Sequence, residues 1–325
     1  METENLNYVG LDIGREMIDA AWYENNRLHR LKVTNNRKGF SQLTEHCGME
    51  VHYVMESTGP YSMGLALHLH QQSIRVSVVN ALVIKRFIQM HLEKNKSDEK
   101  DAEWVCRFAI NQHPELWQAP QTHIVEARQM QSTIRQLIKQ RTASINALKS
   151  LECMPIVSKE AKRCYEKQIR SLDKEINRLE DKIQELLMEH EGGKMKALQS
   201  IPSIGKRASA TMIIATDGFR KVDNYRQLSS WAGLSPKEHS SGTSIWGKVR
   251  ISRMGGTELR TLLFMCSMNA IKNNRACREL YTRLKAKGKN GKVALCAVSN
   301  KLIKQCVAIA QSEKPYNETY QAIRC

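Results

Sequence analysis

The hydrophobic pattern has two periods, and they change over along the chain. In the first 80 residues apolar positions come in short runs broken by turn residues, the spacing of strands. Tyr8 to Ile13 reads as one strand. Met17 to Tyr23 and Leu28 to Thr34 read as two more, with Asn25-Asn26 supplying the turn between them. Residues 38–46 have helical spacing, Val51 to Met55 is a fourth strand, and a helix follows from Tyr61 to Gln72. Ile74 to Val79 is a fifth strand, with helices predicted over 81–91 and 97–111. The order is βββαβαβα, an antiparallel three-strand start followed by parallel crossovers.

That order is the arrangement of a ribonuclease-H-like fold, so residues 1–115 are expected to form an α/β domain. From about 123 the period changes. Met130, Ile134, Leu137, Leu148 and Leu151 recur in steps of three and four, interrupted by Arg141 and Ser144. A second run, Ile169, Leu172, Ile176, Leu179, Ile183 and Leu186, is a heptad seam with charged flanks. Met154-Pro155 should break the helix between the runs. Residues 116–192 are therefore read as a coiled-coil arm of two long helices, folded as a hairpin or paired with another subunit, with an assembly role. Glu191-Gly192-Gly193 is read as a helix stop. Residues 193–325 form a mainly α C-terminal domain with a Gly/Ser-rich interruption from Gly233 to Gly256.

Charge adds a partner class. The chain has 325 residues and a formal net charge of +17, with a pI near 9.5. From Lys237 onward 17 Lys+Arg stand against 5 Asp+Glu, so most of the excess sits at the C-terminal end. Such a surplus favours a polyanion over a neutral ligand. No stretch reads as long and apolar enough to span a bilayer, and the polar start METENLNYVG is not a secretory signal. The nine cysteines form no C-x-x-C pair and no zinc-ligand spacing. Several lie in apolar helical runs (Cys266, Cys296, Cys306), as expected of reduced, mostly buried thiols in a cytoplasmic protein.

Three constellations could carry chemistry. Asp12 ends the first strand in VGLDIGRE, and Glu56 ends the fourth in YVMESTGPY. Asp98 and Asp101 lie three apart in NKSDEKDAEW and share a helix face. In a ribonuclease-H-like sheet the first and fourth strands are neighbours, so these four acids are expected to converge. Four carboxylates in one cleft repel unless divalent cations neutralise them. Two Mg²⁺ ions about 4 Å apart suit phosphoryl transfer. Asp19, Glu99 and Glu103 are left outside the set: Asp19 because it lies on a different strand, the other two because they face away on the helix.

The second constellation is LQSIPSIGKRASATMI, residues 198–213, which resembles a helix-hairpin-helix. Gly205 and Lys206 would offer a DNA phosphate a helix N-terminus. Ser203 stands where that motif usually has its first glycine. The third is WAGLSPKEHSSGTSIWGKVRISRMGGTELR, residues 231–260, where small and basic residues alternate. It offers Ser235, Ser240, Ser241, Thr243, Ser244 and Ser252 as hydroxyls, and spacing alone does not choose among them. A serine can attack a phosphodiester and store the bond energy as a phosphoserine link, with Lys248, Arg250 and Arg253 neutralising nearby phosphates.

Taken in order, these motifs resemble the DEDD-type insertion-sequence transposases, whose characterised members are guided by a bridge RNA. VGLDIGRE, ESTGPY and NKSDEKDA match the N-terminal signature. IPSIG, FRKVDNYRQLSSWAGLSPKEHSSG and RISRMGGTELRTLL match the C-terminal one. The resemblance covers nearly the whole chain. It implies that Asp12, Glu56, Asp98 and Asp101 hold Mg²⁺, with Mn²⁺ as a substitute, and that Ser241 is the nucleophile, followed by Gly242. Ser240 departs from the pattern, standing where another polar residue, often acidic, is usual. The resemblance also implies target and donor DNA as substrates and a guide RNA. A dimer assembling to a tetramer would complete each site from two subunits, acting at the nucleoid. Two other functions compete with this reading. A metal-dependent junction-resolving endonuclease would use the carboxylates alone and leave free ends. A non-catalytic nucleic-acid scaffold would have no metal-dependent activity, and the complete acidic quartet argues against it.

Overall fold

The computed structural model describes residues 7–91, 98–237, 240–241, 245–246, 250–252 and 255–318. They divide into two compact units, residues 1–119 and 120–325.

The first unit is built on a five-stranded sheet of β1 (Tyr8–Ile13), β2 (Met17–Glu24), β3 (Arg27–Thr34), β4 (His52–Glu56) and β5 (Val76–Val79). Their order is β3-β2-β1-β4-β5. β1–β2 and β2–β3 are antiparallel, while β1–β4 and β4–β5 are parallel. Asn25 (φ 49°) and Asn26 (φ 61°) make the two-residue turn between β2 and β3, in the left-handed region that matches strand twist. β5 starts two residues later than its apolar run predicts. The Ile74 N–H is spent on Leu69 O, closing the preceding helix.

Alternation along the strands gives the sheet two apolar faces. Val9, Leu11, Ile13, Tyr53 and Met55 pack on α1 (Arg37–Cys47) and α2 (Pro60–Gln71) through Phe40, Leu43, Leu65 and Leu69. Tyr8 and Val54 face the other way, onto α3 (Ala81–Met90) and α4 (Asp98–Gln112), through Ile84, Phe87, Trp104 and Cys106. α4 crosses the sheet at Gly10. A Cβ there would lie 2.2 Å from Cys106 N and 2.4 Å from Ala102 O, so only glycine permits the approach.

In the second unit α5 (Thr122–Glu152) and α6 (Lys159–Gln199) fold back on each other, joined by a turn that contains Met154-Pro155. Ion pairs Lys162–Glu152 and Arg141–Asp173, with the approach of His123 to Glu191, mark the antiparallel register from tip to base. The seam residues Ile134, Ile176 and Ile183 are buried in the same core as the C-terminal helices. Of the two arrangements the heptads allow, the seam serves a hairpin within the chain. Ser144 does not break it. The residue is buried and bonds Gln140 O and Gln168 Oε1 across the hairpin.

The structure departs from two expectations. Glu191-Gly192-Gly193 is a kink, not a stop: Glu191 leaves helical geometry (φ −128°, ψ 27°) and the helix resumes to Gln199. Packing overrides the glycine penalty. Glu191 is buried with Lys194 Nζ at 2.8 Å, and a Cβ on Gly193 would lie 2.6 Å from Glu313 Oε2. The second correction concerns apolar length. α11 (Gly291–Ser312) is long and apolar enough to cross a membrane. Its Ala294, Val298, Leu302, Cys306 and Val307 stripe is buried among the other helices, which makes it a core helix.

The remaining helices are α7 (Lys206–Thr216), α8 (Tyr225–Trp231), α9 (Thr257–Asn273) and α10 (Arg275–Ala286). The chain is thus a mixed α/β sheet unit followed by a mostly helical remainder. Among the eight described cysteines, Cys106, Cys277 and Cys306 are buried and only Cys153 and Cys164 are exposed. Burial pushes the Cys106 and Cys277 thiols up to about 11, which keeps them protonated and inert.

Candidate active site

Strand register dictates what stands beside Asp12. Parallel pairing of β1 with β4 sets Leu11 opposite Met55, so the next residues along, Asp12 and Glu56, end neighbouring strands. Both are half-buried. Glu56 is opposite Val79 of β5, and Ser57 N bonds Val79 O, which fixes the chain leaving the strand. By alternation Asp12 shares the face of Gly10, the face that α4 crosses. Asp101 immediately precedes Ala102, the residue packed against Gly10. It too is half-buried. The fold therefore sets Asp12 and Glu56 at the same end of two neighbouring central strands and Asp101 on the helix crossing beside them. Asp98 opens α4, but its side chain lies outside the described residues.

The loops around these acids are held by Asn35. Its Nδ2 donates to Gly14 O at 2.8 Å and to Tyr61 O at 3.2 Å, joining the β1–β2 turn to the first turn of α2. Thr58 Oγ1, two residues past Glu56, is buried without a hydrogen-bond partner. Among the described residues no group of three or more His, Cys, Asp and Glu side chains is arranged as a finished metal site. The donors that are present are carboxylate oxygens at the end of a sheet, which suit a hard divalent cation rather than zinc or copper.

Asp19, left out of the sequence-derived set, is in the same row. β1 pairs with β2 so that Asp12 is directly opposite Asp19, and β2 pairs with β3 so that Asp19 is opposite Lys32. Cross-strand partners share a face. The row across four strands is Glu56, Asp12, Asp19, Lys32. Asp19 is buried, and its Oδ1 lies 3.2 Å from Lys32 Nζ. The signal was present in the sequence: the two acids are symmetric about the Gly14–Met17 turn, so hairpin register alone pairs them. Glu103 turns instead to Tyr23, Arg30 and Arg107.

In the second unit Gly205 is the N-cap of α7 and Lys206 its first residue, both exposed. Gly205 makes no side-chain cap, and Ser203 adopts φ 80°, the left-handed conformation that a glycine would take more cheaply. The serine-rich segment is folded as two nested ladders. Pro236–Lys237 (β6) pairs with Arg250–Ile251 (β9), and Ser240–Ser241 (β7) pairs with Ile245–Trp246 (β8). Its return is fastened where Gly256 N bonds Trp231 O, and Gly255 (φ 120°) approaches so closely that a Cβ would lie 2.0 Å from that oxygen. Ser241 is thus on a short hairpin strand with a fixed base. Ser235 is tied to Ser229, whose hydroxyl also bonds Asn300. Gly242, Lys248 and Arg253 lie outside the described residues, as do the side chains of Ser240, Ser241 and Arg250.

Two family models match the chain. A DEDD-type transposase model covers residues 9–151, and the "Transposase IS116/IS110/IS902 family" model covers residues 195–282. The first takes in Asp12, Glu56, Asp98 and Asp101, the second Gly205, Lys206 and Ser241. Among curated proteins, the "Pilin gene-inverting protein" of Moraxella bovis is 28% identical, over 96% of this chain and 98% of its own length. The protein of that name from Moraxella lacunata is also 28% identical, with the same coverage of both chains. The "Transposase for insertion sequence element IS1111A" of Coxiella burnetii is 22% identical over 92% of this chain and 88% of its own.

Proposed function

This chain belongs to the IS110 family of transposases and is a DNA transposase, and from that premise we propose that it cuts and rejoins target and donor DNA through a phosphoserine on Ser241. The observation that carries the reading is the register that ends β1 and β4 together, with Asp12 and Glu56 side by side and α4 bringing Asp101 across the same face. We read the strand order β3-β2-β1-β4-β5 as a ribonuclease-H-like domain, in which Asp12, Glu56, Asp98 and Asp101 would hold the metal. DEDD transposases generally use divalent ions. Mg²⁺ is the proposed one, with Mn²⁺ able to replace it. When bound it supplies charge neutralisation at the transferring phosphoryl group.

The chain's own residues do the rest. Ser241 Oγ attacks phosphorus, the Oγ–P bond forms and the P–O bond to the sugar on the 3′-hydroxyl side breaks. This leaves a 5′-phosphoserine and a free 3′-OH. The serine proton passes to a base within the acid cleft or to water, and the departing oxygen takes a proton. In the second step an incoming 3′-OH attacks the same phosphorus and Ser241 Oγ leaves, so no external energy source is consumed. The bond energy stored in the adduct is what distinguishes this reaction from hydrolysis. Similarity along nearly the full chain to proteins named for inverting a gene supports rejoining over simple cleavage, since an inverted segment must be resealed. Gly205 and Lys206 at the start of α7, with Lys248, Arg250 and Arg253 a few residues after the serine in sequence, are the proposed phosphate contacts. A guide RNA of the bridge type would choose the sequences. A dimer assembling to a tetramer would bring the serine of one subunit to the acids of another.

The test is to trap the adduct on a nicked substrate in Mg²⁺ and map the modified peptide by mass spectrometry. Ser241→Ala should abolish the adduct and Ser240→Ala retain it. Asp12→Asn, in a folded protein, should slow cleavage on the order of 10³-fold, a loss of about 4 kcal/mol of transition-state stabilisation. Cleavage without an adduct by Ser241→Ala would mean hydrolysis by the acids alone. Full activity in EDTA would remove the metal from the scheme.

A further inference from the structure

The acidic row is flanked on its own face by three cations. Lys32 and Arg30 project from β3, and Arg107 from α4, with side chains 54%, 46% and 45% exposed. Each is anchored on a carboxylate that is nearly buried. Asp19, 11% exposed, holds Lys32 Nζ at 3.2 Å. Glu103, 15% exposed, holds Arg30 Nη2 at 3.2 Å and Arg107 Nη2 at 2.7 Å. The Tyr23 hydroxyl completes the cluster, donating to Glu103 Oε1 at 3.2 Å and accepting from Arg107 Nε at 3.1 Å. Three half-exposed cations thus stand over two sequestered acids, and the surplus positive charge is on the solvent side.

Their placement relative to the acids is set by the sheet. β3 is an edge strand. α4 lies over β1, β2 and β4 and leaves β3 at the open margin of this face, while α1 packs β3 from the opposite side. Lys32 is two strands from Asp12, roughly 10 Å at ordinary strand spacing. Arg30 is two residues farther along β3, roughly 6.6 Å from Lys32. That interval is close to the separation of successive phosphates in a nucleic acid strand. Each cation is half-exposed while the carboxylate that holds it is nearly buried. Their common feature is that buried acids fix the cations in place while leaving donors free for another anion.

We propose that Lys32, Arg30 and Arg107 form a phosphate track that grips the DNA backbone of the strand whose scissile phosphate lies over Asp12 and Glu56. The assignment rests on reading those acids as the phosphoryl-transfer site. It explains why Asp19 is beside Asp12 without being needed as a ligand: its partner is Lys32, and the pair delivers a held charge to the neighbouring phosphate.

The test measures binding of the full-length protein to a short DNA duplex across a salt series in EDTA, where no cleavage is expected. Its failure is therefore separable from failure of the carboxylate chemistry, which is read by adduct formation in Mg²⁺. Asp19→Asn/Lys32→Gln keeps the net charge and leaves no buried carboxylate unpaired. It should lower the magnitude of the log K against log salt slope by about 0.9, the value for one lost phosphate contact. Arg30→Gln/Glu103→Gln/Arg107→Gln should lower it by about 1.8. Lys32→Arg should keep the wild-type slope. On the wild-type protein, which needs no substitution to fold, saturating DNA should shield Lys32 from acetylation. Unchanged slopes in folded variants, undiminished acetylation of Lys32, or a slope change seen only with RNA would each overturn the assignment.

Discussion

The two halves of the proposed active site are built in opposite ways. The acidic half stands on the central strands of a five-stranded sheet, with neighbours fixed by ladder register and by a helix packed against backbone at Gly10. The serine half stands on a segment whose described residues form four strands of two residues each, fastened at its base by β6–β9 and at Trp231. The position of Asp12 is a consequence of the whole sheet. The position of Ser241 is a consequence of one hairpin. Carboxylates that must be held together against their mutual repulsion need a rigid frame, and the sheet supplies one.

The same substitution beside the acids and at the α7 N-terminus of the second unit should have different consequences. Gly10→Ala places a Cβ 2.2 Å from Cys106 N and 2.4 Å from Ala102 O, both backbone atoms that no rotamer change can move. The helix must shift, at a cost of about 3 kcal/mol, and Asp101 shifts with it. Urea unfolding should report the loss, and cleavage should fall further than the unfolded fraction accounts for. Gly205→Ala meets nothing within 4 Å at φ −88° and should change stability by much less. Equal effects at the two positions would mean that the acidic half is no more constrained than the helical unit.

This contrast also explains what could be read in the sequence. Strand order brought Asp12 and Glu56 together because parallel crossovers leave few alternatives. Asp19 is hidden when each strand is read alone, although hairpin symmetry about Gly14–Met17 already pairs it with Asp12. Glu191-Gly192-Gly193 looked like a stop because glycine is costly in an isolated helix. The contacts that pull the helix through, Glu191 with Lys194 and Gly193 against Glu313, are tertiary and leave no local trace. Among the serines, periodicity offered no choice, since a short hairpin carries no burial pattern. Only the family resemblance singled out Ser241.

The first unit carries a specific response to acid. His52 begins β4 in the first unit, buried, with Nε2 and Ser77 Oγ 2.8 Å apart. Burial, reinforced by the Arg75 charge, holds its folded-state pKa down at about 4 from an ordinary 6.5. The unfolded chain therefore takes up the proton first as pH falls. Stability contributed by the neutral imidazole is complete above pH about 6.5 and is lost progressively toward pH 4, up to roughly 3 kcal/mol. Urea midpoints for the first unit should drop across that window and be flat from pH 7 to 8. His52→Gln should remove most of the slope. A slope that survives in His52→Gln would assign the acid sensitivity to another group.

The smallest effect is expected in the turn before α7, where the backbone is ready for a glycine that the sequence does not supply. Ser203 holds φ 80°, and its Oγ is buried without a hydrogen-bond partner. A side chain in the left-handed region costs about 1 kcal/mol, and a buried hydroxyl without a partner adds to that. Ser203→Gly removes both penalties and returns about 0.5–1 kcal/mol to the entropy of a more flexible unfolded chain. The net expectation is a gain of about 0.5–1 kcal/mol, seen as a higher urea midpoint with an unchanged m-value. If the turn presents the α7 N-terminus to a phosphate, DNA affinity should hold or rise in Ser203→Gly. In Ser203→Val, whose branched side chain suits the left-handed region still less, it should fall together with stability. Lower stability in Ser203→Gly would mean that the hydroxyl has a bonding partner in solution, and that this turn has settled on serine for a reason other than backbone geometry.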